Sequence, residues 1–269
     1  MKILAFSDPH LGRHSKFGKN FGKKLFDKVK RVAETEKPDV VICCGDLAEP
    51  DECTLTDGMK LFEAIPCKHK LLVAGNNDIE QVSRMKDRKF VDYVEVIGRL
   101  AEQHGIRLLD SRPFVLGDYA FVGNFGFYDL SLWRAPDNPD PKLPQTMSQL
   151  KSACLDWHIE HFGLSHTEIF NMCLKRLYNH LKMVAGKRIV LCTHTVPTRN
   201  MVLYGHSAKY DLQNAWMGFN DSELESPLAD TPGLLTWLCG HTHRNHRTEG
   251  KVPMINVSGI EQPFIFEVN

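Results

Sequence analysis

The sequence predicts an α/β fold, a sheet whose strands alternate with covering helices, and two observations carry that prediction. Short apolar runs bounded by turn residues recur along the chain: Ile3-Leu4-Ala5-Phe6, Val40-Val41-Ile42-Cys43-Cys44, Leu71-Leu72-Val73-Ala74, Ile189-Val190-Leu191-Cys192 and Leu234-Leu235-Thr236-Trp237-Leu238-Cys239. Between the first three, apolar residues return at helical spacing, first Phe21, Leu25, Val29 and Val32, then Leu55, Met59 and Phe62. A short bounded apolar run reads as a buried strand, and a recurrence every three to four residues as the inner face of a helix.

In order, the first strand ends at Phe6 and the first helix follows. The second strand ends at Cys44, and Pro66 stops the second helix before the strand that ends at Ala74. Such alternation builds βαβ units with helices outside the sheet. Farther on, Ile106-Arg107-Leu108-Leu109 and Tyr119-Ala120-Phe121-Val122-Gly123 read as strands with a Gly117-Asp118 turn between them. Met254-Ile255-Asn256-Val257 and Phe264-Ile265-Phe266-Glu267-Val268 read as a closing hairpin. The rhythm breaks over 126–187, where a proline-rich stretch from Trp133 to Pro141 precedes helices near 146–162 and 166–184. The second of these carries Ile169, Met172, Leu177, Leu181 and Val184 along one face. A further segment, 197–222, holds Tyr204, His206, Tyr210 and Trp216 without a clear period. Long loops inside compact domains are often functional. The reading is one domain over 1–269 with a helical cap insertion at about 126–187.

Lys and Arg number 33, as do Asp and Glu, so the formal net charge is zero. That balance gives no general attraction to nucleic acid or to an anionic membrane. The locally basic stretch from Arg13 to Lys24 is read as a solvated first helical turn, with binding of the phosphates of an extended substrate as the lesser reading. No run approaches the roughly 18 apolar residues of a membrane span. The opening strand reaches Asp8 too soon for a signal peptide. Cys43, Cys44, Cys192 and Cys239 lie inside apolar runs and no Cys-x-x-Cys occurs, so the eight cysteines are read as free thiols. With neither a signal peptide nor a membrane span read from the sequence, the cytoplasm is the expected location, where thiols stay reduced. The oligomeric state is left open.

Five motifs stand mostly where the apolar runs end: Asp8-Pro9-His10, Gly45-Asp46, Gly75-Asn76-Asn77-Asp78, Thr193-His194 and Gly240-His241-Thr242-His243. Taken singly, a Gly-Asp or Gly-Asn-Asn-Asp is usually a turn and a Gly-His-Thr-His a solvated loop. Together, at strand ends along one edge of a sheet, they form a set of metal donors. Asp8 and His10 are two apart, which in extended backbone turns both side chains the same way. Asp46 offers two oxygens and can bridge two cations. Asn76 offers a neutral carbonyl oxygen, with Gly75 permitting the turn beneath it. His241 and His243 can each serve a different metal, and His194 completes the set. Mixed oxygen and nitrogen donors suit manganese, iron or zinc better than calcium.

This ordered set resembles the calcineurin-like metallophosphoesterase superfamily, whose pattern runs Asp-x-His, Gly-Asp, Gly-Asn-His-Asp/Glu, a lone His, then Gly-His-x-His. The resemblance spans residues 8 to 243. It implies a four-layer α/β/β/α sandwich with a two-metal site at its centre. Asp8, His10 and His243 would bind one ion, Asp46 would bridge, and Asn76, His194 and His241 would bind the other. The implied cofactors are two divalent or mixed-valence ions, manganese or iron first and zinc second. The implied reaction is attack on phosphorus by a water activated between the ions, on a small organic phosphoester.

The chain departs from the pattern at Asn77, where the family has a histidine thought to protonate the leaving group. An amide can donate a hydrogen bond but cannot titrate. Some members of the superfamily that lack this histidine prefer phosphodiesters, so the resemblance implies a phosphodiesterase acting on a nucleotide or another organic diester. A phosphomonoesterase or protein phosphatase, a nuclease, and a non-catalytic scaffold of the same fold are the alternatives. Asp8-Pro9-His10-Leu11-Gly12 looks like the opening of DNA-repair nucleases of the superfamily, but zero net charge disfavours a nucleic-acid partner. His206 is the leading candidate for a replacement proton donor, with His14 behind it. Asp78 either orients a ligand or caps a turn. His158, His161, His166 and His180 are read as solvated, and Trp133, Tyr204 and Trp216 as core or cap aromatics with a lesser case for a stacking wall.

Overall fold

Alternation within each strand sorts its side chains between two cores, and this makes the molecule layered. In β1 (Lys2–Phe6), Leu4 and Phe6 join one apolar cluster while Ile3 and Ala5 join another. The computed structural model describes residues 1–12, 20–49, 54–84, 92–133, 146, 148–149, 164–202, 216, 218–219, 227–259 and 263–268. In β2 (Val40–Cys43), Val41 and Cys43 face outward to the helices, and Val40 and Ile42 face inward. A second sheet meets that inner face. Phe121 of β6 (Tyr119–Asn124), Val190 and Cys192 of β7 (Arg188–Thr193) and Leu238 of β8 (Leu234–Cys239) share the inner cluster. Their neighbours Ala120, Val122, Ile189, Leu191 and Trp237 face the opposite way into a third cluster. Strands buried on both faces explain why the runs read as continuous apolar stretches.

The first sheet has the order β11-β1-β2-β3-β4, with β3 at His69–Leu72, β4 at Ile106–Leu108 and β11 at Phe264–Glu267. The second has the order β5-β6-β7-β8-β10-β9, with β5 at Phe114–Leu116, β9 at His246–Thr248 and β10 at Met254–Asn256. The central strands of each sheet are parallel, and antiparallel strands close the edges at β11, β5 and β9. Helices α1 (Phe21–Glu36), α2 (Leu55–Glu63), α3 (Asn76–Ser83) and α4 (Asp92–Gln103) cover the first sheet through Leu25, Val29, Met59, Phe62, Ile79 and Ile97. Two sheets flanked by helices give the sandwich that the motif set implied.

Two local expectations change. The Gly117-Asp118 turn joins β5 to β6, because Phe114 and Phe121 pair across it, while β4 lies in the other sheet. The expected closing hairpin does not form. Met254–Asn256 pairs with β8 in one sheet and Phe264–Glu267 with β1 in the other, so the chain crosses between sheets there. The helix over His166–Met183, α5, links parallel strands β6 and β7 and buries Leu177 and Leu181 on the second sheet. It starts from Ser165, whose side chain accepts from the Glu168 N–H while Glu168 reaches back, a reciprocal cap. Most of 134–163, where the rest of the expected cap falls, lies outside the described residues, as does most of 203–226.

Tight contact between the sheets near the site gives a test. A methyl group at Gly123 would meet the Cys192 carbonyl at 2.5 Å and Val73 at 3.0 Å. Gly123→Ala should therefore destabilise the fold by about 1–3 kcal/mol through overpacking, measured by urea unfolding; unchanged stability would mean that the sheets can part freely there.

Candidate metal centre

The parallel strands of both sheets end on one edge, and the loops beyond them carry the five motifs. The first two loops run side by side. The Asp8 N–H donates to the Gly45 carbonyl, His10 N–H to Asp46 and Leu11 N–H to Leu47, each at 3.0 Å. Asp8 and His10 do not converge by extended alternation. Both have left-handed backbone, with φ of 56° and 44°. Asp46, His241 and His243 share that region at 56°, 71° and 56°. Such conformations cost on the order of 1–3 kcal/mol each in non-glycine residues and concentrate at functional sites. Gly45 has φ of 101° and leaves no room for a side chain, since one would approach His194 Nδ1 at 2.6 Å. Gly75 serves differently from the expected permissive turn. Its φ is −101°, open to any residue, but a side chain there would run into the Asp46 carboxylate.

Two clusters of donor atoms result, each drawn within 4.8 Å: Asp8, His10 and His243, and Asp46, His194 and His241. In the first, Nε2 of His10 and of His243 lie 2.7 Å apart, and Asp8 Oδ1 is 3.7 Å and 3.3 Å from them. In the second, His194 Nε2 lies 2.9 Å from Asn76 Oδ1 and 3.2 Å from His241 Nδ1. Asp46 Oδ2 sits between the clusters, 3.6 Å from His10 Nε2 and 3.5 Å from His194 Nε2. Thus the sequence-derived donors Asp8, His10, Asp46, Asn76, His194, His241 and His243 all come together. The set fits two cations. It offers oxygen and imidazole nitrogen, and Asp8 Oδ1 is buried with no hydrogen bond.

Acceptors behind the imidazoles decide which nitrogen faces inward. His194 Nδ1 lies 2.7 Å from the Cys44 carbonyl, so its proton belongs there and Nε2 keeps a lone pair for the site. His241 is turned the other way, with Nε2 2.7 Å from the Trp216 carbonyl and Nδ1 facing inward. His10 Nδ1 faces Glu49 Oε1 at 2.6 Å. Outer partners of this kind fix the tautomer of metal-binding histidines. Glu49 and Trp216 were missed as partners from sequence; Glu49 lies three residues after Asp46, a spacing that means nothing until the loop is folded.

Asp78 caps rather than touching an imidazole. Its carboxylate accepts the N–H groups of Asp46, Leu47 and Gly75, each at 2.9 Å, and so holds two donor loops together. Asn77 donates from its backbone to Asp46 Oδ1 at 2.9 Å and from its side chain to Oδ2 at 2.8 Å. Asn256 Nδ2 secures the last motif through the Gly240 carbonyl and the Thr242 hydroxyl, at 2.7 Å and 2.8 Å.

Crowded carboxylates bend the local ionisation. Burial opposes charge on His10, but the neighbouring carboxylates of Asp8, Glu49 and Asp46 outweigh it and raise its pKa to about 10. His194 is raised too, against burial, by Asp46 and Asp8. Burial and the neighbouring His194 push His241 down to about 4. Burial, then the charge of Asp46, lifts Asp78 to about 7. The carboxylates therefore favour the protonated form of His10 and His194.

Among the remaining candidates, His206, His14, Tyr204, His158 and His161 lie outside the described residues. His166 and His180 are buried, not solvated. His166 stacks on Phe127 with centroids 5.8 Å apart, because the helix it begins covers a sheet. Trp216 is buried edge-on against Tyr128 at 5.8 Å, and Trp133 packs half-buried on the first core. Among the described residues no helix is long and apolar enough to cross a membrane.

Comparison with known proteins agrees with this geometry. The profile of the calcineurin-like phosphoesterase family matches residues 1–245. No curated protein matches. A phosphopantetheinyl hydrolase from Mycobacterium tuberculosis superposes with a TM-score of 0.69 at 15% identity, covering 97% of this chain and 90% of its own. A dimetal phosphatase from Danio rerio superposes with a TM-score of 0.52 at 13% identity, covering 97% of this chain and 88% of its own. At such identities the likeness is one of fold. The family match runs through all five motifs, and the chain belongs to the calcineurin-like phosphoesterases, a metal-dependent phosphoester hydrolase.

Proposed function

We propose that this hydrolase is a phosphodiesterase for a nucleotide or another small organic diester. The observation that carries the reading is Asn77. It stands where the resemblance has a histidine, and its amide donates 2.8 Å to Asp46 Oδ2. That side chain can orient Asp46 but supplies no proton to a departing oxygen. In this proposal Asp8, His10 and His243 would hold one cation and Asn76, His194 and His241 the other, with Asp46 available to both. The donor chemistry fits manganese, iron or zinc. When bound, such ions neutralise phosphoryl charge and acidify a water toward neutral pH. The chain itself fixes the donors. Glu49 and the Cys44 and Trp216 carbonyls hold the imidazoles in their binding tautomers. Asn77 steadies both oxygens of Asp46 from one side. His206, in the 197–222 segment, is the proposed proton donor. The free thiols at Cys43, Cys44, Cys192 and Cys239 support a cytoplasmic location.

The direct test is hydrolysis of paired mono- and diesters with defined metals, with a phosphopantetheinylated protein as one diester arm. Asp46→Asn serves as the control. It should lose most of both bound ions and most turnover, since one shared charge is removed; full occupancy with full activity would reject the bridging role, and faster monoester turnover would reject the diesterase.

Leaving-group dependence tests position 77. Asn77→His should help poor alkoxide leaving groups more than phenolates, and His206→Ala should harm the poor ones by about 10²-fold or more. Across esters of graded leaving-group pKa, an unchanged slope for both variants would place neither residue at the leaving oxygen.

Proton release tests the charge state. His10, raised from 6.5 to about 10, contributes stability to the metal-free protein that is fully present below pH 6.5 and lost as pH rises through about 10. A cation must displace that proton. Metal binding near neutral pH should thus release protons and tighten as pH rises, which calorimetry in buffers of different ionisation enthalpy would read; heats independent of buffer would contradict it.

A further inference from the structure

A second buried carboxylate lies behind the donor loops and touches no donor itself. Asp110 follows β4 and is completely buried. Its Oδ2 accepts the Ala74 N–H at 3.0 Å. Its Oδ1 accepts the Phe125 N–H and the Tyr93 hydroxyl, each at 2.9 Å. Ala74 closes the β3 run in the first sheet, two residues ahead of Asn76. Phe125 follows β6 in the second sheet. Its carbonyl accepts the N–H groups of His194 and Thr195, each at 3.2 Å, and its ring stacks on the His194 imidazole with centroids 5.9 Å apart. One carboxylate therefore ties the end of one sheet to the end of the other.

Both tied arms lead to the same donor cluster. Asn76 Oδ1 and His194 Nε2 meet at 2.9 Å, whereas no tie from Asp110 runs to Asp8, His10 or His243. The far side of the carboxylate is also held. Tyr93 on α4, which donates to Asp110, accepts from Nη1 of Arg176 on α5 at 3.2 Å. A cation thus stands one hydroxyl away from a charge that burial disfavours. The chemistry requires an acid. All three partners on the two oxygens are donors, and an amide would turn its NH₂ against one of the two backbone N–H groups.

We propose that Asp110 is a positioning residue of the metal centre, setting the Asn76 arm of one sheet against the His194 arm of the other. The role rests on the two-cation reading above. Its signature is selectivity: loss at the cluster of Asp46, Asn76, His194 and His241, with the other cluster spared.

The test compares full-length wild type, Asp110→Asn and Tyr93→Phe. Manganese titration followed by electron paramagnetic resonance counts the ions and reports the exchange-coupled pair, alongside kcat and urea unfolding. Asp110→Asn should weaken one of the two ions by about 10-fold, the low end of what losing a direct outer partner of a metal ligand costs, since Asp110 acts one residue removed from the ligands, and leave the other unchanged. The coupled signal and kcat should fall together at limiting manganese and return together when manganese is raised. Tyr93→Phe, which keeps both backbone ties, should weaken the same ion by about fivefold, the worth of one hydrogen bond, and it carries the test if Asp110→Asn does not fold. Two ions bound as in wild type would overturn the role, as would equal weakening of both in step with lost stability. Wild-type protein that holds no manganese pair would overturn the two-cation reading, and the positioning role with it. A wild-type pair with unaltered variants overturns the positioning role alone.

Discussion

Backbone donors left over where parallel strands stop are the constraint on which this centre depends. A strand ladder satisfies each N–H until the strand ends, and buried N–H groups beyond that point must find other acceptors. Here the acceptors are carboxylates. Asp78 takes three N–H groups, from Asp46, Leu47 and Gly75. Asp110 takes those of Ala74 and Phe125. Asp8 Oδ2 takes that of His241 at 2.9 Å, and Asp46 Oδ1 that of Asn77. The loops adopt left-handed turns because their donors are spoken for from the side and not along a strand. Two of these acids, Asp8 and Asp46, also line the donor clusters, so shaping the loops and charging the site are one act.

The electrostatic result is a carboxylate-rich pocket that raises the proton affinity of two of its imidazoles. His10 and His194 gain proton affinity against burial, while His241 loses it because His194 lies beside it. Cations placed there would replace protons already attracted by the same carboxylates. Glu49 strengthens this on the His10 side, and the Cys44 and Trp216 carbonyls supply neutral acceptors on the other. The two clusters are therefore unequal in charge as well as in composition.

Much of this was legible in the sequence, for reasons that differ by element. The inner strands announced themselves because both faces of Val40–Cys43 and Arg188–Thr193 are buried, which leaves no polar alternation to confuse them. The donors were legible because each follows such a strand. What failed was sheet membership: Met254–Asn256 and Phe264–Glu267 look like a hairpin, and only pairing partners far away in sequence, β8 and β1, separate them. β9 was silent because His246-Arg247-Thr248 is polar and lies at an edge. The α4 helix is marked in the sequence by Tyr93, Ile97 and Ala101, four apart. The convergence of Asp8 and His10 was anticipated, but for extended backbone; left-handed φ values bring it about. Asp110 was invisible, since a lone acid after a short strand has no pattern.

The thiols beneath the site have a consequence of their own. Cys44 and Cys192 face the seam between the two sheets, hydrogen-bond each other, and are completely buried. That mutual bond and then burial hold the Cys44 thiol well above its ordinary pKa, so it is unreactive while the seam is closed. Cys43 at the end of β2 and Cys239 at the end of β8 lie on the outward faces of the two sheets, under the helical layers. The molecule thus carries its own clock for two kinds of opening. Modification at 44 and 192 requires the sheets to part, and modification at 43 and 239 requires the helical layers to lift.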